Sequence, residues 1–373
     1  MTGSEEPQRD LAAVAAAFDI DGEFVEAAPY GNGHINETYA SVFQTPAGRR
    51  RFIHQRVNET IFKDVAGLMD NVERVTRHVG AKAEAAGLDP RRHALTLVPT
   101  ADGESWTRDA EGGPWRTYVF VEDAVTYETV EDLQHVENAS EAFGEFQKQL
   151  ADLPGERLVE TIPDFHNTRQ RFANFKAAVE RDASGRAHSV PEEIDFVLAR
   201  EKDCSRLVDM LERGELPERV THNDTKLNNV MLDPESGAAV CVIDLDTVMP
   251  GLTAYDFGDS IRIGASTAAE DERDLSKVSM SLDMFERISR GYLRSAGGFL
   301  TRKEVEVLAF SGKLLTLECG SRFLADHLDG DVYFRIHREG HNLDRCRTQF
   351  KMVADMEAMM DEMEAIARGY AAT

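Results

Sequence analysis

The most informative segment of the sequence is Thr221-His222-Asn223-Asp224-Thr225-Lys226-Leu227-Asn228-Asn229, which is followed by the apolar run Val230-Met231-Leu232. After a turn comes a second apolar run, Ala239-Val240-Cys241-Val242-Ile243, which ends in Asp244-Leu245-Asp246. Two short apolar runs separated by turn residues predict a β-hairpin. Such a hairpin would bring the polar residues before its first strand close to those after its second strand.

This arrangement predicts a phosphoryl-transfer site of the kinase type. Transfer from ATP needs a carboxylate near the acceptor hydroxyl and oxygen ligands for Mg²⁺. Asp224 is the predicted base, and Asn229 and Asp244 are the predicted magnesium ligands. We expect His222 to tie its loop to the Asp244 segment by a side-chain hydrogen bond. Asp246 is expected to support the loop.

Composition and charge restrict the class of protein. A chain of 373 residues that is 42% hydrophobic and 29% charged is typical of a soluble protein with two domains. No apolar run approaches the ~20 residues of a membrane span, and residues 11–18 are predicted to form a first amphipathic helix rather than a secretory signal. The net charge of -25 argues against nucleic-acid binding.

The cysteines favour a reduced, cytoplasmic enzyme. They are scattered without a C-x-x-C pair, so neither a disulfide framework nor a zinc site is indicated. The cysteines are Cys204, Cys241, Cys319 and Cys346.

The N-terminal part of the chain predicts a small β-sheet. Strand-like residues flank a loop that contains Gly31 and Gly33, which is suited to covering ATP phosphates or, alternatively, to a tight turn. His34 and Asn36 lie at its far side, where they would face an acceptor. The lobe is completed by a predicted helix over 63–86 and by predicted strands over 51–57, 95–98 and 115–121. Residues 119–122 are the predicted connector to the next lobe, and we expect its backbone to bind adenine at Glu122.

The remainder of the chain is predominantly helical in pattern. Helical spacing of apolar residues covers 137–150, 168–181, 191–213, 275–296, 302–327 and 343–366. The sequence therefore predicts an α+β fold with two lobes. Residues 1–121 form a nucleotide-binding lobe with a small antiparallel sheet, and residues 122–373 form a larger, mostly helical lobe with the catalytic loop.

Several segments carry a resemblance to a known family. They are residues 30–36, 221–229, 243–247, 256–262, 318–326 and 330–334. The chain resembles the aminoglycoside phosphotransferase and choline kinase superfamily and, more closely, the bacterial N-acetylhexosamine 1-kinases. The resemblance implies a bilobal protein-kinase-like fold and transfer of the ATP γ-phosphate to the anomeric hydroxyl of N-acetylglucosamine or N-acetylgalactosamine.

The resemblance also implies roles for individual residues. By matched position Asp224 is the base, Asn229 and Asp244 hold Mg²⁺, and four further side chains line the sugar pocket. These are His34, Asn36, Arg322 and Tyr333. The expected partners are ATP and the sugar, with no nucleic acid or membrane, and a monomer is compatible with the sequence.

One departure from the family concerns the third strand, where the usual lysine is absent. Gln55 occupies its register and Arg56 would replace its charge. Because strand side chains alternate between faces, only one of the two can reach phosphate, and we favour Arg56.

Two other functions stay open. One is a kinase of the same superfamily with another acceptor, such as an aminoglycoside, choline or homoserine. The other is a nucleotide-binding protein without catalysis, against which the presence of the base and both metal ligands speaks.

Overall fold

The computed structural model describes residues 9–31, 35–128 and 132–371. It divides into two compact units, Met1–Ala124 and Val125–Thr373. Each unit is described by itself.

The first unit is built on an antiparallel β-sheet. Its strands are β1 (Glu23–Pro29), β2 (Glu37–Thr45), β3 (Gly48–Arg56), β4 (Leu97–Val98), β5 (Thr107–Arg108) and β6 (Pro114–Val119). The strand order is β1-β2-β3-β6-β4, and β5 pairs with β6 at the side. The sequence predicts five of these strands and misses β5, which is only two residues long and therefore shows no apolar alternation.

Helices pack on this sheet. They are α1 (Leu11–Ala16), α2 (Val65–Ala85) and α3 (Pro90–His93). The first of them packs through Val14 against Trp115 of β6. The second begins where the Asp64 side chain accepts a hydrogen bond from Gly67 N, as an N-cap residue does, and its Met69 contacts Arg116 of β6. The predicted helices over 11–18 and 63–86 are confirmed.

A polar triad lies inside the first unit, on the face of the sheet that packs against α1. The His54 ring nitrogens bond Ser41 Oγ and Thr117 Oγ1, each at 2.7 Å, and the ring lies beside Phe18. All three polar side chains are fully buried. Burial lowers the pKa of His54 to about 4, so the neutral imidazole is the form that the fold requires.

We expect this histidine to make the first unit sensitive to acid. Its pKa lies below that of an unfolded-chain histidine, about 6.5. The neutral ring therefore contributes fully above that pH, and up to about 3 kcal/mol of stability is lost as the pH falls from about 6.5 through about 4.

The measurement is the thermal unfolding midpoint of wild type and His54→Gln at about pH 7.5 and about pH 4.5. The wild type should lose more stability on acidification than the variant. His188→Gln, at an exposed histidine, is the matched control and should behave like wild type. Equal losses in all three proteins would contradict the assignment.

The second unit is mostly helical. Its α-helices are α4 (Leu133–Leu150), α5 (Thr168–Arg181), α6 (Pro191–Leu198), α7 (Glu201–Glu212), α8 (Thr253–Gly264), α9 (Leu282–Ala296), α10 (Arg302–Asp329), α11 (His341–Ala358) and α12 (Met360–Ala371). A capping box between Thr301 and Glu304 starts α10. Most of α10 is buried because α5, α8, α11 and α12 pack around it.

Three helix predictions need correction. The single helix predicted over 191–213 is two helices, because the chain leaves helical geometry at Arg200. The single helix predicted over 343–366 breaks likewise at Met359. The helix predicted from 275 begins instead at Leu282, where the Ser281 side chain accepts a hydrogen bond from Met284 N and caps it.

Two small antiparallel ribbons interrupt the helices of the second unit. Their strands are β7 (Arg219–Thr221), β8 (Val230–Leu232), β9 (Ala239–Val242) and β10 (Met249–Gly251). The pair β8–β9 is the predicted hairpin, which is confirmed. Strands β7 and β10, which precede and follow this hairpin in the chain, pair to form the second ribbon.

Across the ranges given above, no helix has both the length and the apolar character needed to cross a membrane.

Candidate functional site

Two loops of the second unit lie side by side because of the two ribbons. One loop joins β7 to β8 and the other joins β9 to β10. Thr247 Oγ1 donates to the His222 carbonyl at 2.7 Å, and Asn223 Nδ2 donates to the Thr247 carbonyl at 2.9 Å. His222 Nε2 donates to the Ile243 carbonyl at 2.9 Å. The predicted structural role of His222 is thereby confirmed.

These loops bring the predicted base and metal ligands together. Asn229 Nδ2 donates to Asp224 Oδ2 at 3.0 Å, which leaves the Asn229 amide oxygen available. Lys226 Nζ lies 2.8 Å from Asp224 Oδ2. The backbone N–H of Ile243, next to Asp244, donates to the Asn229 carbonyl at 2.9 Å.

The electrostatics of Asp244 suit a cation ligand. Burial, followed by the negative charges of Asp246 and Asp224, raises the pKa of Asp244 to about 6. Carboxylates crowded in this way are stabilised when a cation binds. The part of the chain that the structure describes contains no cluster of three or more His, Cys, Asp or Glu side chains arranged for a metal. Mg²⁺ commonly needs only one or two carboxylates besides phosphate oxygens, so Asp244 with Asn229 fits that ion.

A buried carboxylate on α8 fixes the loop that carries Asp224, the predicted base. Asp256 Oδ2 accepts from His222 N at 2.9 Å, and its Oδ1 accepts from Asn223 N at 2.7 Å. Asp256 is fully buried, and burial raises its pKa above the usual range although these hydrogen bonds oppose the shift. One turn later on α8, Asp259 accepts from Thr225 N at 2.9 Å. In the sequence, Asp256 is noted only as part of the family-matched segment 256–262. The available signal is its spacing from Asp259, because two aspartates three residues apart lie on one helix face.

A second cluster in this unit surrounds Arg322 of α10. Its guanidinium lies 6.0 Å from the ring centroid of Phe165 and 5.5 Å from that of Phe334. Tyr333 packs edge-on against Phe334, with 4.8 Å between ring centroids, and is 69% exposed. The structure therefore brings Arg322 and Tyr333, two predicted sugar-pocket residues, to one cluster.

The segment that carries Tyr333 is held in place by a single carboxylate. Asp326 Oδ1 accepts from the backbone N–H groups of Val332 and Tyr333, at 2.9 and 2.8 Å, and its Oδ2 accepts from Phe334 N at 2.9 Å. A buried carboxylate with several N–H donors is a firm anchor. The exposed Tyr333 ring is thus presented by a fixed backbone.

Arg171 of α5 adds a second positive charge to this cluster. It donates to the Phe165 carbonyl from Nε at 3.1 Å and from Nη2 at 2.9 Å. Burial, and then the charge of Arg322, lower the pKa of Arg171. Among the described residues, neither Arg171 nor Arg322 forms an ion pair with a carboxylate. The charges of Glu318 and, more weakly, Asp164 act on the pKa of Arg171 in the opposite direction.

The candidate nucleotide residues lie in the first unit. Gly31 has a positive φ of 77°, which suits glycine, whereas Gly33 and His34 lie outside the described residues. The Asn36 side chain accepts from Asn58 N at 3.0 Å. The Glu122 carboxylate pairs with Arg51, and its carbonyl accepts from Arg92 Nη1 at 2.7 Å.

Gln55 and Arg56 point to opposite faces of the sheet, as alternation predicts. Arg56 lies on the α1 face, 3.2 Å from Glu37 and 3.7 Å from Asp109. Gln55 Oε1 accepts from Nε and Nη2 of Arg116 at 3.1 and 2.9 Å. Arg116 is 1% exposed. Its burial could not be predicted from the sequence, because arginine is ordinarily found at the protein surface.

Comparison with solved structures identifies the class of fold. An aminoglycoside phosphotransferase from Alicyclobacillus acidocaldarius is 13% identical, with a TM-score of 0.58 over 97% of this chain and 98% of that one. A microcompartment-associated aminopropanol kinase is 15% identical, with a TM-score of 0.56 over 95% and 98%. An amicoumacin kinase in complex with AMP-PNP, Ca²⁺ and Ami is 12% identical, with a TM-score of 0.57 over 93% of each chain. The α+β kinase-like fold is therefore confirmed.

The family follows from the sequence of the chain. Residues 26–285 match the model of the phosphotransferase enzyme family. The chain belongs to this family. The family is thus that of phosphotransferases, and the fold is the one shared by the solved kinases named above.

The role of Asp256 can be tested by replacing it with asparagine. Because the amide offers only one oxygen, one of the two loop N–H groups loses its acceptor, at a cost of about 1–3 kcal/mol. We expect Asp256→Asn to lower both the thermal unfolding midpoint and the phosphoryl-transfer rate.

The matched control is Asp283→Asn on α9, where a 64% exposed carboxylate pairs with Arg287 on the same helix. This change should leave both quantities at wild-type values. An Asp256→Asn protein as active and stable as the control would show that the loop does not depend on this anchor.

Proposed function

We propose that the protein is an ATP- and Mg²⁺-dependent sugar kinase. It transfers the γ-phosphate to the anomeric hydroxyl of an N-acetylhexosamine, either N-acetylglucosamine or N-acetylgalactosamine. The convergence of Asp224, Asn229 and Asp244 on two adjoining loops supports the chemistry. The charge of the cluster around Arg322 supports the choice of acceptor.

Asp224 is proposed to accept the proton of the acceptor hydroxyl. Its Oδ2 contacts Asn229 and Lys226, so the carboxylate is held in one orientation and its Oδ1 remains for the substrate. Asn229 and Asp244 would hold Mg²⁺, which when bound neutralises charge on the phosphate oxygens. Lys226 Nζ adds a positive charge beside the reacting groups. General-base assistance of this kind is worth roughly 10²–10⁴ in rate.

The positive cluster favours a neutral acceptor over a cationic alcohol. Arg171 and Arg322 are without ion-pair partners in the described part of the chain. The carboxylates of Glu318 and Asp164 partly offset this charge at Arg171, and Glu318 is also hydrogen bonded to His166 at 3.0 Å. Choline and aminoglycosides carry positive charge, which two adjacent guanidinium groups repel. A hexosamine offers hydroxyl and carbonyl oxygens to those donors and a ring face to Tyr333.

We propose that the first unit binds the nucleotide. Gly31 is proposed to present its backbone N–H to phosphate and Glu122 to contact adenine through its backbone, while the predicted phosphate role of Gly33 falls on a residue outside the described ones. The proposed phosphate role of Arg56 is weakened by its pairing with Glu37 and Asp109. On the other sheet face, the Gln55 side chain is bonded to the buried guanidinium of Arg116. His34 and Asn36 remain proposed acceptor contacts.

The function is tested by an acceptor panel. We expect phosphorylation of N-acetylglucosamine or N-acetylgalactosamine to exceed that of choline, homoserine and an aminoglycoside in kcat/KM. A cationic alcohol that turns over faster than either hexosamine would contradict the proposed acceptor and leave the kinase assignment in place.

The base is tested by Asp224→Asn, which preserves shape and removes the proton acceptor. We expect kcat to fall by roughly 10²–10⁴, with thermal stability close to wild type. Asp283→Asn again serves as the control. A fall of only a few-fold in kcat would remove Asp224 from the role of base, whatever the acceptor.

Tyr333 is tested against its exposed neighbour. Tyr333→Ala removes an aromatic face and should raise KM for the hexosamine by about 10-fold, since stacking contacts are worth about 1–2 kcal/mol. The KM for ATP should not change. Val332→Ala, at a side chain that is 78% exposed, is the adjacent control, and equal effects of the two variants would exclude a sugar contact by Tyr333.

A further inference from the structure

The geometry points to a pair of positioning residues, His166 and Glu318, which fix the peptide that carries Asp224. The inference rests on the proposed function in one respect: Asp224 must be the base. Neither residue is proposed to touch the substrate. Their effect on the reaction passes through Asn223, which directly precedes the base.

The contacts form a chain from α10 to the catalytic loop. Glu318 Oε1 accepts from His166 Nδ1 at 3.0 Å, and His166 Nε2 donates to the Asn223 carbonyl at 3.0 Å. Both side chains are buried, at 8% exposure for His166 and 4% for Glu318. Three segments that are remote in sequence thus meet at one imidazole ring.

The residue held by this chain has an unusual backbone. Asn223 has a φ of 65°, in the left-handed region, which asparagine tolerates better than most residues. Its N–H donates to Asp256 Oδ1 at 2.7 Å, and its side-chain amide donates to Thr247 at 2.9 Å. His166 binds the carbonyl. With all its polar groups engaged, Asn223 can aim the next side chain, Asp224, in one direction.

Glu318 serves the imidazole rather than a wider network. Its second oxygen, Oε2, is buried and has no hydrogen-bond partner among the described residues. Burying a carboxylate with one unpaired oxygen costs free energy of folding. The hydrogen bond of Oε1 to His166 supports a role for Glu318 in orienting that ring. Burial alone would lower the pKa of His166, but the charge and hydrogen bond of Glu318 outweigh it and raise the pKa.

A packing role is the competing explanation. The His166 ring lies 4.6 Å from the Phe165 ring and 5.4 Å from that of Tyr255. If His166 acted by packing alone, any side chain of similar size could replace it. It would then not matter whether the replacement kept a donor at the position of Nδ1 or of Nε2. The two nitrogens are chemically distinct, so two amide substitutions are compared, together with His166→Leu, which fills a similar space without an N–H donor. Packing alone predicts equal kcat for the similar-sized His166→Gln and His166→Leu, whereas positioning predicts a loss only in His166→Leu.

The test compares His166→Asn with His166→Gln. The asparagine amide nitrogen takes the place of Nδ1, so the variant keeps the contact to Glu318 and loses that to the Asn223 carbonyl. The glutamine amide nitrogen takes the place of Nε2 and keeps the contact to the loop. We expect kcat to fall by about 10–100-fold in the asparagine variant and by at most about threefold in the glutamine variant, since small misplacements of a reacting group are costly.

Two further readouts distinguish positioning from a general structural effect. KM for ATP and for the acceptor should stay within about threefold in both variants, because binding contacts are unchanged. Amide hydrogen exchange over residues 221–226 should be faster in His166→Asn than in wild type and unchanged in His166→Gln. His341→Asn, at another buried histidine, should leave exchange in this loop unaltered.

The outcomes separate the two proposals. Equal kcat and equal loop exchange in His166→Asn and His166→Gln would overturn the positioning role. A wild-type protein that phosphorylates no N-acetylhexosamine would overturn the proposed acceptor, while the exchange comparison would still test the pair.

Discussion

The second unit depends on one constraint, the anchoring of a left-handed turn at Asn223. The Asp256 carboxylate accepts the N–H groups of His222 and Asn223. His222 and Asn223 are both buried, so their N–H groups need an acceptor inside the unit, and the carboxylate supplies it. Asp224, the proposed base, follows this turn directly.

The same region shows how a buried helix can serve a polar site. Glu318, Arg322 and Asp326 follow each other at intervals of four residues on α10, which places them on one helix face. Glu318 bonds His166, Arg322 lies between Phe165 and Phe334, and Asp326 anchors the segment of Tyr333. One face of α10 therefore contacts the residues that hold both the proposed catalytic loop and the proposed sugar pocket, while its other faces pack in the core.

The local parts of this arrangement could be predicted from sequence. The hairpin β8–β9 and the proximity of Asp224, Asn229 and Asp244 follow from short-range pattern, because a ribbon joins its two ends. Alternation also predicts that Gln55 and Arg56 face opposite ways. The helix breaks at Arg200 and Met359 escape prediction, because apolar spacing continues through them and the interruption is only one or two residues long.

The long-range parts could not be predicted in this way. Asp256, His166 and Glu318 contact the loop from α8, from the segment before α5 and from α10. Before folding, each is one acidic or imidazole side chain among many, and only tertiary packing decides that it is buried. The pairing of Arg56 with Glu37 and Asp109 likewise depends on partners that pattern does not reveal.

The central claim is that one β-ribbon assembles the base and the metal ligands for transfer to a neutral sugar. It is tested most directly by a crystal structure of the protein with a non-hydrolysable ATP analogue, Mg²⁺ and N-acetylglucosamine. The account predicts the metal on Asn229 Oδ1 and the Asp244 carboxylate, with the anomeric hydroxyl hydrogen bonded to Asp224. A metal bound by other side chains, or a sugar hydroxyl other than the anomeric one at Asp224, would contradict it.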